Sequence, residues 1–247
     1  MTVDSTPPLV QLQQISFAYP GRRQILEQAD VTLDYRQRIG LIGPNGSGKT
    51  TLLHLLMGLI NPTGGKVLFK GREVSSKEDW RELRRSIGLV FQDADDQLFS
   101  PTVLEDVAFG PLNLGLSQEE ALDKSRQTLD NLGLTRLTDR ITHQLSGGEK
   151  KLVSLATVLS MQPEAMLLDE PTNNLDGTIR ARLISILKGL KIGYMIISHD
   201  WDFLAETCDE LYTLRDGKAL RSGTECLHCH PHAHSGGGLP HEHPQQQ

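Results

Sequence analysis

The chain is short of the features that would place it outside the cytosol. Its 247 residues include only three cysteines, too few for a disulfide framework, so a reducing compartment is expected. No apolar run approaches the roughly 20 residues of a membrane-spanning helix. The best candidate, Leu52 to Ile60, is short and contains His54. The opening stretch Met1 to Pro8 has neither the basic nor the apolar segment of a secretory signal, and none is expected. Basic residues are outnumbered, 25 Lys+Arg against 31 Asp+Glu for a formal net charge of −6. That balance argues against nucleic acid as the main partner, because phosphate backbones require a basic face. What remains, 38% hydrophobic and 23% charged residues, describes a globular chain able to bury a core as one large domain, with or without appendages.

The chain alternates short apolar runs with longer amphipathic segments over about residues 9 to 222. Strands are predicted at Arg38–Ile42, Val67–Phe69, Ile87–Phe91, Ala165–Asp169, Tyr194–Ser198 and Glu210–Leu214, with an apolar helix from Lys49 to about Leu59. Helical patterns between several of these imply an α/β sheet with substantial parallel pairing. From about 100 to 160 the rhythm becomes purely helical, and Ser117-Gln118-Glu119-Glu120 reads as a capping box. Ala121, Leu122, Leu129 and Leu132 follow as a core-facing stripe.

Composition changes again near the end. Six of the nine histidines (His228, His230, His232, His234, His241 and His243) lie beyond Cys226, among Pro, Gly and Gln. So few large apolar residues cannot offset the entropy of ordering, and residues 226–247 are expected to form a flexible His/Cys-rich tail.

Gly43-Pro44-Asn45-Gly46-Ser47-Gly48-Lys49-Thr50 matches the P-loop pattern and falls between a predicted strand and a predicted helix. Glycines let backbone amides approach phosphate oxygens, and a helix N-terminus adds its dipole. Lys49 would reach the β- and γ-phosphates and Thr50 would ligate Mg²⁺. The strand Ala165–Asp169 ends in adjacent carboxylates: Asp169 suits Mg²⁺, and Glu170 can polarise an attacking water. A nucleoside kinase would not need the second carboxylate. A GTPase would need an Asn-Lys-x-Asp reader, which is missing. Leu145-Ser146-Gly147-Gly148-Glu149 opens another helix and reads as a second anion-binding N-terminus. One mononucleotide site does not need both, so the second is expected to close over a nucleotide held by another copy.

These segments, with Gln92, Asn173-Asn174-Leu175-Asp176 and His199, occur in the order and approximate spacing of an ABC transporter ATPase subunit, which the chain resembles over about residues 9 to 223. The resemblance implies a P-loop NTPase (RecA-like) α/β core with an N-terminal antiparallel β portion and an inserted all-helical subdomain at about 95–160, within an ATPase domain of residues 1–225. It implies ATP and Mg²⁺ as ligands, and a dimer with a second copy or a related ATPase. ATP would be held by Tyr19, as the adenine-stacking aromatic, and by Asn45, Gly46, Ser47, Gly48, Lys49, Thr50, Thr51 and Gln92, with Ser146, Gly147 and Gly148 supplied from the other copy. Glu170 would act as base, with His199, Gln92 and Lys49 in the catalytic set. Thr50, Gln92 and Asp169 would serve Mg²⁺, and Asp176 would lie at the dimer seam. One departure is Leu152, where family signatures often carry an arginine.

Within the family, Phe91–Phe99 and Thr102–Pro111 resemble the cobalt and nickel group of energy-coupling-factor importers. This implies an integral membrane coupling subunit, a substrate-binding membrane subunit, a position on the cytoplasmic face of the membrane, and Ni²⁺ or Co²⁺ as cargo. A vitamin importer or a soluble, non-transport ABC ATPase is the alternative. Cys226, His228, Cys229, His230, His232 and His234 offer thiolates and imidazoles at close spacing, a donor set that suits Ni²⁺, Co²⁺ or Zn²⁺.

Overall fold

The computed structural model describes residues 7–222. Its elements run β1 (Val10–Ala18), β2 (Gln24–Leu33), β3 (Arg38–Ile42), α1 (Lys49–Leu56), β4 (Gly64–Phe69), β5 (Arg72–Glu73), α2 (Lys77–Ser86) and β6 (Ile87–Val90). They continue with α3 (Val103–Asn113), α4 (Gln118–Asn131), α5 (Gly147–Leu159), β7 (Ala165–Asp169), α6 (Gly177–Gly189), β8 (Gly193–Ile197), α7 (Trp201–Thr207), β9 (Glu210–Arg215) and β10 (Lys218–Ser222).

The apolar runs become buried parallel strands. The larger sheet has the order β10-β9-β3-β8-β7-β6, parallel except for β10. Every residue of β7 and β8 is buried, which is why both read as continuous apolar segments. Alternation sorts their side chains between two cores. Leu167, Met195 and Ile197 join Leu52 and Leu55 of α1 and residues of the first strands. Met166, Leu168, Tyr194 and Ile196 face Leu183, Leu187, Phe203 and Leu204 of α6 and α7. The antiparallel sheet, ordered β2-β1-β4-β5, covers the first core.

Between β6 and β7 the chain is helical. Val103, Val107, Leu129, Leu152, Val153 and Ala156 form a third core. Ser117 and Glu120 close the expected capping box. The buried stripe of α4 is Ala121, Ser125 and Leu129, four residues apart. Leu122 is only half-buried, and Ser125 returns its hydroxyl to the Ala121 carbonyl at 2.7 Å. Helix α1 stops at Leu56, earlier than the apolar pattern suggested, because Gly58 follows in a left-handed conformation (φ 61°).

Helix α5 lies close against β6: a Cβ added at Gly88 would overlap Val158. Gly88→Ala is expected to destabilise the chain by about 1–3 kcal/mol through overpacking. Gly88→Ala combined with Val158→Ala should recover part of that loss. Urea unfolding of the single and double variants checks this, and additive losses would show that Gly88 and Val158 are not in contact.

Candidate functional site

The Gly43–Thr50 loop leaves the end of β3 and enters α1 through Gly48, which has φ 103°. A Cβ at Gly48 would overlap Ile25, so glycine is required there on two counts. The start of α1 differs from every other α-helix among the described residues. Helices α2 to α5 each begin with a reciprocal capping box, and α6 and α7 are capped by Asp176 and Asp200. Helix α1 has no side-chain cap and no acidic residue in its first turn. Its free amides and positive dipole end are therefore open to an external anion. Ser47 Oγ is buried without a hydrogen-bond partner. The Lys49 ammonium donates to the carbonyls of Gly43 (2.9 Å) and Pro44 (3.2 Å), which holds its tip over the loop. Burial lowers its pKa from the ordinary lysine value, while the Glu170 and Asp169 carboxylates act in the opposite direction.

The two carboxylates stand at the end of β7. Burial raises Asp169 above the usual carboxylate range, opposed by a hydrogen bond from the Thr50 hydroxyl and by His54 and Lys49 nearby. Thr50, Asp169 and the exposed Gln92 line one cavity of about 720 Å³, which also reaches His54, Gly147 and Asn174. Such an oxygen-only donor set suits Mg²⁺.

Glu170 is buried and adopts a left-handed backbone (φ 44°), an uncommon conformation for a non-glycine residue. Its amide donates to the Ile197 carbonyl at 2.9 Å, fixing it to the next strand. Oε1 lies 3.2 Å from His199 Nε2, whereas Oε2 is buried and unpartnered. Burial pushes the Glu170 pKa up, and His199 opposes that shift.

The remaining predicted residues fall in distinct places. Asn45 and Gly46 are exposed at the loop tip. Thr51 is buried, with its hydroxyl 3.4 Å from the Tyr19 hydroxyl. Tyr19 packs edge-on against Phe17, ring centroids 4.9 Å apart. Ser146 caps α5: its Oγ accepts from the Glu149 amide at 3.3 Å, and its own amide donates to Glu149 Oε2 at 3.1 Å. That helix start is thus partly satisfied by its own residues. A Cβ at Gly147 would meet nothing within 4 Å, so packing within the chain does not explain that glycine.

Sequence reasoning assigned no role to His54, although it sits one helical turn beyond Thr50 and lines the same cavity. The i, i+4 spacing was the available signal. The tail residues Cys226, His228, Cys229, His230, His232 and His234 lie outside the described residues. Among the described residues, no group of three or more His, Cys, Asp or Glu side chains could hold a metal ion. No helix among them is long and apolar enough to cross a membrane.

The ABC transporter family pattern matches residues 26–173. A Nitratidesulfovibrio vulgaris protein provisionally named an ABC transporter ATP-binding protein is 53% identical over 247 residues, covering 100% of this chain and 90% of that one. The cobalt import ATP-binding protein CbiO of Rhodobacter capsulatus is 41% identical over 220 residues, 87% of this chain and 79% of that one. Among solved structures, CbiO1 of Clostridium perfringens, described as part of the ABC transporter complex CbiONQ, superposes with TM-score 0.79 at 33% identity. It covers 89% of this chain and 90% of that one. The bacterial ABC transporter cassette MJ0796, solved as a dimer, gives TM-score 0.78 at 25% identity, covering 87% of this chain and 98% of that one. A P-loop cassette fold, a matching family pattern and relatives matched over most of their length agree that this chain belongs to the ATP-hydrolysing ATP-binding subunits of ABC transporters.

Proposed function

We propose that this subunit powers import of a transition metal ion, Ni²⁺ or Co²⁺, from the cytoplasmic face of the membrane, through ATP-driven closure of a head-to-tail dimer with a second copy or a related ATPase. The observation that carries the hydrolytic part is the pairing of one uncapped helix start with Asp169, Glu170, His199 and Gln92 at the ends of adjacent parallel strands. ATP phosphates fit the start of α1, where Ser47 Oγ lacks a partner and Lys49 stands over the loop. Thr50, Asp169 and Gln92 would hold Mg²⁺, which supplies charge neutralisation at the phosphates. Glu170, held beside His199 with one free oxygen, orients the attacking water and takes its proton. The open side of Gly147 leaves room for a partner's nucleotide against the start of α5.

The contact with membrane subunits is assigned to the segment after Gln92. Phe99 and Phe109 form an exposed edge-to-face pair with centroids 4.7 Å apart, 65% and 48% exposed. Exposed Asp93, Asp95 and Asp96 lie just before Phe99 in the chain. An exposed apolar pair in a segment that also carries acidic residues suits a partner helix with apolar and basic side chains. Metal as the cargo draws on the likeness to a cobalt-import relative and on the Cys/His-rich tail. The tail's imidazoles and thiolates bind several ions weakly near the importer.

Glu170→Gln is expected to lower ATP turnover on the order of 100-fold or more while ATP binding persists and ATP-driven dimers accumulate. Phosphate release and size-exclusion chromatography measure these, and wild-type turnover in the variant would refute the base assignment. Because Glu170 must be ionised to act and burial raises its pKa, turnover should fall as pH drops through a value above the ordinary glutamate pKa of about 4.3. A rate–pH profile tests the position of that acidic limb. Phe99→Asp should abolish co-purification with membrane subunits and leave hydrolysis by the isolated chain in place; retained co-purification would remove this face from the interface. Deleting residues 224–247 should remove most Ni²⁺ binding and spare ATPase activity, and binding by the intact chain should weaken as pH falls toward about 5, below the imidazole pKa of about 6.5. Calorimetry decides, and equal affinity at acid and neutral pH would exclude histidine as ligand.

A further inference from the structure

Lys151 is a cation in an unusual place. It is 5% exposed, and its ammonium donates to the carbonyls of Gln92 (2.6 Å) and Phe91 (3.3 Å). No carboxylate lies within ion-pair distance of it among the described residues. Burying a charge on two neutral acceptors is costly, and an apolar side chain would fill the same space more cheaply. The return is positional: two of the three N–H donors are spent on the backbone that carries Gln92.

The contact belongs to a larger latch. Lys150 pairs with Asp95 at 2.5 Å. Gln97 accepts from the Phe91 amide at 3.1 Å and donates to Ser154 O and Thr157 Oγ1, both at 2.8 Å. Residues 150, 151, 154 and 157 share one side of α5, so the segment 91–97 is fastened along two turns of that helix. The same helix begins at Ser146 and Gly147. Lys151 stands about 6 Å further along the axis, four residues at 1.5 Å each. Over so short a distance a helix moves as a rigid rod.

We infer that Lys151 is a positioning residue that ties Gln92 to the signature helix, so that engagement of Ser146 and Gly147 with the partner's nucleotide sets Gln92 for hydrolysis in this chain's own site. The inference rests on the dimeric reading above. Its consequence is specific: the two composite sites of a dimer are mechanically linked through each copy's α5. Asp93, Asp169 and Glu170 lie close enough to oppose the burial-driven fall in the Lys151 pKa, which agrees with a cation standing beside the hydrolytic carboxylates.

The test uses the full-length chain with Lys151→Met, which keeps an unbranched side chain one atom shorter and removes the donors, and Lys151→Arg, which keeps donors and charge. In Lys151→Met, kcat should fall on the order of 100-fold, the size of effect expected from misplacing a catalytic group by about 1 Å. KM for ATP and the equilibrium affinity for a fluorescent ATP analogue should stay within about threefold, less than 1 kcal/mol. Any sigmoidal ATP dependence of the wild type should become hyperbolic. Lys151→Arg should recover most of kcat. If Lys151→Met does not fold, as judged by thermal unfolding, Lys151→Gln replaces it, retaining an amide donor without the charge, and should show the same split in weaker form. Unchanged kcat, or a parallel loss of kcat and nucleotide affinity that arginine does not restore, would overturn the inference. Wild-type hydrolysis and ATP-driven dimerisation of Glu170→Gln are measured alongside. Their failure would strike the dimeric ATPase reading rather than the role of Lys151.

Discussion

The register of β3, β8, β7 and β6 fixes where each reactive side chain can stand. Leu41 and Asp169 both pair with Ile197, and Val90 pairs with Leu168. The chain therefore leaves all four strands at one level, into the phosphate loop, the Ser198-His199 segment, Glu170 and Phe91-Gln92. A slip of one residue in β7 would send Leu167 to the opposite core and carry both carboxylates away from Thr50 and His199. Because β7 and β8 are buried along their whole length, the packing of both cores opposes such a slip. This follows the general rule that open α/β sheets bind ligands at the carboxyl ends of their strands.

Helix capping sets the helix behind the phosphate loop apart from the others. Six of the seven α-helices among the described residues satisfy their first amides with their own side chains, and α1 does not. Glu170 shows a related compromise. A buried carboxylate on a left-handed backbone is costly twice over, and the hydrogen bond from its amide to the Ile197 carbonyl, together with His199, holds it in place.

Much of this was legible in the sequence, for a physical reason. Parallel strands buried on both faces read as unbroken apolar runs, and each predicted segment of the larger sheet falls within a residue of the observed one. The P-loop and the paired acids are contiguous, so spacing alone revealed them. The first strands were harder to read. Register shifts between Leu12 and Ile15, where Gln14 takes φ 52°, break the alternation that identifies a strand. Lys151 and Gln92 are far apart in the chain and meet only when α5 packs beside β6, so no local pattern announces the contact. The Ser146–Glu149 capping box repeats the Ser117–Glu120 spacing, but Gly147 and Gly148 between its ends give the same segment the pattern of an anion-binding helix start.

The uncapped start of α1 also bears on how the chain withstands heat. A missing cap forgoes about 1 kcal/mol in a helix whose Leu52, Leu53, Leu55 and Leu56 belong to the largest core. Any anion seated there supplies what the sequence withholds, and a bound ligand raises the unfolding free energy as its concentration exceeds its dissociation constant. The melting temperature of this protein is therefore partly a property of its solution: an anion seated at the start of α1 steadies a helix of the largest core.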